Sequence, residues 1–302
     1  MKIYTITLNP AYDVHASSEQ FIPFHENMAT ITSKDAGGKG INITRALNSV
    51  NVPNTAVIVL GRENCSDYKA ALKDCCIDCI ILEVEGRIRE NLTLHHSDSN
   101  ETRISFFGSK LENMILSDIE SRLSIDQETI VTFTGRVPAG IDMQQIKSFL
   151  LRLKACGAML VIDSKSFSIG DIYSIEPWLI KPNEEEISKY FGENINSLDL
   201  AKKKALEISG HGINNVMITL GEKGAVLVSN GELYTTVPPK IEAVSTIGAG
   251  DSTIAGFISA YVSGLKPSVC LKRAVSFGTA ACLTAGTTPP KKEDIESIFS
   301  AI

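Results

Sequence analysis

The chain has 302 residues, 43% of them hydrophobic and 21% charged, with 29 Lys and Arg against 35 Asp and Glu for a net charge of −6. Its length exceeds one small domain, and its composition excludes a disordered chain or a disulfide-built miniature fold. The acidic balance and the lack of a Lys/Arg block exclude a general binder of nucleic acid or anionic membrane, so anionic ligands must be held by local geometry.

Met1–Pro10 alternates like a strand, with no apolar signal core, and no later apolar run reaches membrane-spanning length. Seven scattered cysteines fit a reducing cytosol better than a disulfide framework. Cys76-Ile77-Asp78-Cys79 has C-x-x-C spacing but no second pair, and reads as buried small hydrophobes. Asn9-Pro10-Ala11-Tyr12-Asp13 ends the first strand, and open α/β sheets bind ligands at the carboxyl ends of strands. Asp13 is therefore either a holder of ligand hydroxyls or a plain turn acid.

Ala36-Gly37-Gly38-Lys39-Gly40-Ile41-Asn42 is a glycine turn followed by Ile43, Ala46, Leu47 and Val50 at helical spacing. Glycines at a helix start let backbone N–H groups converge on an anion, and Lys39 could pair with it. Apolar runs at Thr55–Gly61, Thr129–Thr134, Ala158–Asp163, Trp178–Lys181 and Val216–Leu220 are continuous rather than alternating. They predict buried parallel strands with crossover helices, a doubly wound α/β fold. Between about Glu85 and Gly108 two alternating strands flank a polar turn at Ser97–Glu101. With the strand-like pieces of Val14–Thr32 they predict a small accessory sheet with one wet face, a lid. Arg87 and Arg89 lie at its base and suit a phosphate.

Lys181-Pro182-Asn183-Glu184-Glu185-Glu186 follows a strand; its acids either open a helix or orient hydrated Mg²⁺. Thr219-Leu220-Gly221-Glu222-Lys223-Gly224-Ala225 reads as a hairpin. In Thr246-Ile247-Gly248-Ala249-Gly250-Asp251-Ser252 a second glycine turn precedes Ile254, Ala255, Phe257, Ile258, Tyr261 and Val262, an amphipathic pattern starting just after Asp251. Asp251 is then an N-cap, a chemical group, or both. The turn lacks the lysine of a Walker A loop, and Thr253 occupies the third glycine position of a dinucleotide fingerprint. Two such turns suggest two anionic groups, such as a nucleotide's phosphates and a phosphate on an acceptor.

In this order and separation, Gly37-Gly38-Lys39-Gly40-Ile41-Asn42 and Thr246-Ile247-Gly248-Ala249-Gly250-Asp251-Ser252 resemble the ribokinase-like sugar kinases of the PfkB family over essentially the whole chain. The resemblance implies one α/β kinase domain over 1–302, with a mainly parallel sheet, helices on both faces, and a lid inserted at about 14–32 and 86–108. It implies ATP-dependent phosphoryl transfer with Asp251 as base and Gly248, Ala249 and Gly250 as the anion hole. Acceptor contacts would come from Asp13, Gly37, Gly38, Lys39, Asn42, Arg89 and Arg103. Lys181, Asn183, Thr219, Gly221 and Gly224 would border ATP, and Asn183 with Glu186 would place Mg²⁺ through water. Family lids commonly build a homodimer, and many members respond to a monovalent cation such as K⁺. The acceptor implied is a sugar phosphate, fructose 1-phosphate ahead of tagatose 6-phosphate or fructose 6-phosphate. One departure stands out. Gly135-Arg136-Val137-Pro138-Ala139-Gly140 carries Arg136 where the family usually has serine, and this either adds a phosphate contact or changes which sugar is accepted.

Overall fold

The computed structural model describes residues 1–96 and 100–302, so the tip of the hairpin expected across Ser97–Glu101 falls partly outside the described residues. The strands are β1 (Lys2–Thr7), β2 (Ala11–Ser17), β3 (Thr30–Gly37), β4 (Thr55–Gly61), β5 (Cys79–Val84), β6 (Arg89–His96), β7 (Asn100–Ser105), β8 (Thr129–Thr134), β9 (Met159–Asp163), β10 (Leu179–Ile180), β11 (Asn215–Thr219), β12 (Ala225–Ser229) and β13 (Glu232–Thr236). The helices are α1 (Lys39–Asn48), α2 (Ser66–Asp74), α3 (Met114–Arg122), α4 (Met143–Ala155), α5 (Ile169–Ile175), α6 (Glu184–Phe191), α7 (Leu198–Ser209), α8 (Ala249–Val262), α9 (Pro267–Ala281) and α10 (Lys292–Ala301).

Nine strands form the main sheet in the order β13-β12-β11-β10-β9-β8-β1-β4-β5. The seven from β11 to β5 run parallel, and β12 and β13 extend that edge as antiparallel neighbours. Continuous hydrophobicity has its expected cause, because both faces are covered. Ile130 of β8 packs with Ile3 and the helices α1, α8 and α9, while the next residue, Val131, packs with Ile6, α4 and α7 on the other face. The strand expected at Trp178–Lys181 shrinks to Leu179–Ile180, since Pro182 cannot continue a ladder. The hairpin expected at Thr219–Ala225 is present as the β11–β12 turn.

Helix α8 departs from its sequence pattern. It begins at Ala249 rather than after Asp251, and every residue from Asp251 to Ala260 is buried. The amphipathic stripe expected is absent because α8 lies between α1 and α9 as well as over the sheet.

The second sheet has the order β3-β2-β6-β7. Strands β2 and β6 are parallel, and the outer pairs are antiparallel. Its strands span 11–17 and 30–37 instead of the 14–32 expected, running up to the glycine turn, while 18–29 contains no strand. The second segment, expected over 86–108, supplies strands over 89–96 and 100–105. One face carries Tyr12, Val14 and Ala36, packed on Ile58, Leu60 and Tyr68. The opposite face of β2 carries Asp13 and His15, both part-exposed, as the alternation predicted. Cys76 is exposed and Cys79 half-buried, so the buried reading of that pair fails; a left-handed turn at Cys76 (φ 51) turns the chain outward into β5.

Candidate active site

Both glycine turns open helices beside the carboxyl ends of the parallel strands, where β1 is flanked by β4 and β8 and the chain order reverses. Gly248 caps α8 in a left-handed conformation (φ 79) that other residues adopt only with strain. The first full helical bond of α8 runs from the Ser252 N–H to the Gly248 carbonyl, 2.9 Å. The amides of Gly250 and Asp251 therefore precede the ladder at the positive end of the helix, and the Ala249 N–H donates to the Thr246 carbonyl at 3.4 Å. Asp251 is not the cap that its position suggested, because that place belongs to Gly248. Its carboxylate instead accepts a hydrogen bond from Asn42 Nδ2 at 2.8 Å. Burial pushes the Asp251 carboxyl up to about 6, with Lys39 opposing the rise and Asp163 adding to it.

Asp163 was not singled out by the sequence motifs. It ends β9, 2% exposed in its side chain, with Lys39 Nζ at 2.7 Å and Lys181 Nζ at 3.5 Å. Burial alone would raise its carboxyl, but Lys181 and Lys39 outweigh that and hold it below the usual range. Lys39 in turn is held protonated; burial opposes its charge, and Asp163 and Asp251 more than offset this. One carboxylate thus links the lysine of the first glycine turn to Lys181, whose Nζ lies 3.2 Å from where a Cβ on Gly250 would stand. A signal was available: an acid at the carboxyl end of a buried strand, the same reasoning that selected Asp13.

The wet face of the small sheet gathers the acceptor candidates. Asp13 is opposite Asn91 in the β2–β6 register and accepts from Asn91 Nδ2 at 2.9 Å, while Arg89 Nη1 donates to Asn91 Oδ1 at 3.0 Å. Arg103 of β7 points to the same face through its pairing with Thr93. Burial raises the Asp13 carboxyl, against the pull of Asn91, Arg89 and Arg103. A Cβ on Gly37 would overlap the Asp13 carboxylate and push it aside. Arg87 does not join this group; it is exposed and lies 3.8 Å from Glu63. Among the described residues, Arg89 and Arg103 have no carboxylate within ion-pair distance, and Arg89 Nε and Asn42 Oδ1 are buried without a hydrogen-bond partner.

Lys181, Asn183, Thr219, Gly221 and Gly224 line one cavity of about 850 Å³ together with Ala249 and Gly250. Asn183 and Thr219 are bridged through their backbones, which sets α6 against the hairpin. Asn183 and Glu186 form a reciprocal cap: Asn183 Oδ1 accepts from the Glu186 N–H at 2.8 Å, and Glu186 Oε2 from the Asn183 N–H at 3.1 Å. In that arrangement Glu186 Oε1 has no hydrogen-bond partner among the described residues, while Asn183, Glu184 and Glu185 line the cavity. The donor set fits Mg²⁺, which keeps most of its waters and takes one or two carboxylates plus substrate phosphates.

This geometry suits a phosphotransferase: a glycine turn at a helix start, a buried carboxylate and a cavity of about 850 Å³ beside a polar sheet face. The family description pfkB family carbohydrate kinase matches residues 9–294, and the chain belongs to that family. It is a sugar kinase that transfers phosphate to a hydroxyl. Among curated relatives it is 26% identical to a 1-phosphofructokinase of Vibrio cholerae, covering 100% of this chain and 96% of the relative. It is also 26% identical to the ATP-dependent 6-phosphofructokinase isozyme 2 of Escherichia coli, covering 99% and 98%. The solved structure of Escherichia coli phosphofructokinase-2 in complex with substrates and products superposes with a TM-score of 0.92 at 26% identity, covering 100% of this chain and 99% of that one. No helix among the described residues is long and apolar enough to cross a membrane.

Proposed function

We propose that this kinase phosphorylates D-fructose 1-phosphate on its C6 hydroxyl with ATP, yielding fructose 1,6-bisphosphate. The observation that carries the reading is that two of the buried atoms without a hydrogen-bond partner, Asn42 Oδ1 and Arg89 Nε, belong to side chains beside Asp251 and Asp13. Burying polar groups without partners costs roughly 1–3 kcal/mol each, which a ligand with a hydroxyl at one end and a phosphate at the other offsets. Asn42 would accept from the acceptor near its reacting hydroxyl, Asp13 would orient further hydroxyls, and Arg89 with Arg103 would hold the phosphate.

Asp251 would accept the hydroxyl proton as the γ-phosphoryl group passes in line to the acceptor oxygen. The backbone N–H groups of Gly248, Ala249 and Gly250 would donate to the oxygens of the group in transfer, and Lys181 would neutralise charge beside them. Asn183 and Glu186 would hold Mg²⁺ through water; when bound, the ion supplies further charge neutralisation on the phosphate oxygens. The small sheet would act as a lid that keeps competing water from the reacting group. It would also build a homodimer. Phe24 and Phe107, each more than 90% exposed, and Met28 and Ile31 are apolar side chains open to solvent at separate places on and beside the small sheet, which a second copy would cover. A monovalent cation such as K⁺ would support the anion turn.

Steady-state kinetics with ATP and Mg²⁺ on fructose 1-phosphate, fructose 6-phosphate and tagatose 6-phosphate test this reading. The highest kcat/KM is expected for fructose 1-phosphate. A preference for either 6-phosphate would sink it in favour of the isozyme-like activity.

A further inference from the structure

The loop 62–65 between β4 and α2, with the first turn of α2, bonds to three separate pieces of chain that carry the acceptor candidates. Arg62 pairs with Arg87 in an antiparallel bridge, and the Glu63 N–H donates to the Gly86 carbonyl at 3.0 Å, so the loop runs beside the connector that leads into β6. Asn64 grips that connector twice: its Nδ2 donates to the Ile88 carbonyl at 3.0 Å, and its Oδ1 accepts from the Ile88 N–H at 2.7 Å. Ile88 is buried, and Arg89 is the next residue. The Asn64 backbone carbonyl accepts from Tyr12 Oη at 2.6 Å, and the same Tyr12 Oη accepts from the Tyr68 N–H at 3.0 Å. Tyr12 precedes Asp13 in β2. The Tyr68 hydroxyl completes the set by donating to the Gly37 carbonyl, 2.5 Å away in the first glycine turn.

Both tyrosines are buried, and their rings meet edge to face with centroids 5.5 Å apart. Burial pushes both phenols up, so each keeps the proton it donates. A trans peptide is planar with its C=O and N–H opposed, so holding the Gly37 carbonyl on Tyr68 turns the Gly38 N–H away from α2. Bonding both polar groups of Ile88 likewise restrains the backbone from which Arg89 projects.

We infer that Asn64 and Tyr68 are positioning residues for the acceptor, acting from behind its face: Asn64 through Ile88 sets Arg89, and Tyr68 through Gly37 sets the first glycine turn. Tyr12 ties the two together and to the strand of Asp13. This rests on the reading that the acceptor lies against Asp13, Lys39 and Arg89, whichever sugar phosphate it is. A displacement of about 1 Å in a reacting geometry can cost about 10²-fold, so bonds that only position are visible in kinetics.

The test is steady-state kinetics and thermal melting of Tyr68→Phe, Asn64→Leu, Asn64→Asp, Asp13→Ala and Leu72→Ala. The acceptor is whichever of fructose 1-phosphate, fructose 6-phosphate and tagatose 6-phosphate the unmutated protein turns over best. Tyr68→Phe keeps the ring and loses one hydroxyl; it should raise the acceptor KM about tenfold, with kcat within about threefold and KM for ATP within about twofold. Asn64→Leu should do the same, and Asn64→Asp should recover part of the loss because its carboxylate still accepts from the Ile88 N–H. Leu72 is buried in the same cluster of α2 and makes neither bond, so Leu72→Ala should lower the melting temperature at least as far while leaving both KM values within about twofold. An unchanged acceptor KM in Tyr68→Phe and Asn64→Leu, beside a raised one in Asp13→Ala, would overturn this inference alone. So would equal rises for acceptor and ATP, or a rise in Leu72→Ala as large as in Tyr68→Phe. An unchanged acceptor KM in Asp13→Ala, or turnover of none of the three sugar phosphates, would overturn the acceptor reading and this inference with it.

Discussion

Asn42 donates its side-chain amide to Asp251 over 2.8 Å, joining the first glycine turn to the last across 209 residues of sequence. The contact places the proposed base against the first turn of α1, and it favours the charged carboxylate in a site where burial disfavours it.

A carboxyl that titrates near 6 must be ionised to accept a proton, so activity is expected to fall as pH drops through about 6. In Asn42→Ala the charged form loses its donor, and the acidic limb of the kcat/KM profile should move to higher pH. A limb that stays in place would show that another group sets it.

Asp251→Asn should lower kcat by about 10²–10⁴-fold while leaving ATP affinity nearly unchanged. The same change should stabilise the fold. The folded-state carboxyl is raised from 3.8 to about 6, so its charge costs stability above that range and costs nothing once it is protonated in both states. The gain at neutral pH is at most about 3 kcal/mol and should shrink as pH is lowered toward about 4. Thermal melts of both proteins across that range check the sign.

Asp163→Asn leaves Lys181, 4% exposed in its side chain, without its charge partner. A loss of about 3 kcal/mol is expected in urea unfolding at neutral pH, the lower end for a broken buried pair because Lys39 is about one-third exposed. Asp163 is held below the usual carboxylate range, so its contribution persists as pH falls to about 4 and disappears only when it too is protonated.

Gly37→Ala forces the Asp13 carboxylate aside. Overpacking of this kind costs about 1–3 kcal/mol. Expressed at the site, it should raise KM for the sugar phosphate about tenfold or more, with KM for ATP little changed. Equal effects on both substrates would point to general damage instead.

Phe107→Asp together with Phe24→Asp places charge at two exposed apolar side chains beside the small sheet. Sedimentation should record a dimer for the unmutated chain and self-association at least about tenfold weaker for the double variant. A monomeric unmutated protein would remove the lid-dimer proposal.

Local chemistry was readable from the chain by itself. Continuous apolar runs determine a buried parallel sheet, because only strands covered on both faces dispense with alternation. Glycines before helical patterns determine two glycine turns that open helices, because converging amides need backbone without side chains. Alternation in 89–96 predicted a sheet with one wet face, yet burial along that strand does not alternate: Arg89 to Leu92 are all half-buried, and Thr93 and Leu94, on opposite faces, are both buried. What tertiary structure alone decided is which distant groups meet. Asp163 meets two lysines that reach it from the start of α1 and from the end of β10, and Asp251, read as a cap, a chemical group or both, is the buried partner of Asn42 and not the cap. Arg87 and Arg89 are two residues apart, yet one lies at the surface beside Glu63 and the other turns into the acceptor face beside Asn91. The reason is physical: propensity and periodicity act over a few residues, whereas burial and charge pairing depend on which strand ends the sheet order brings together.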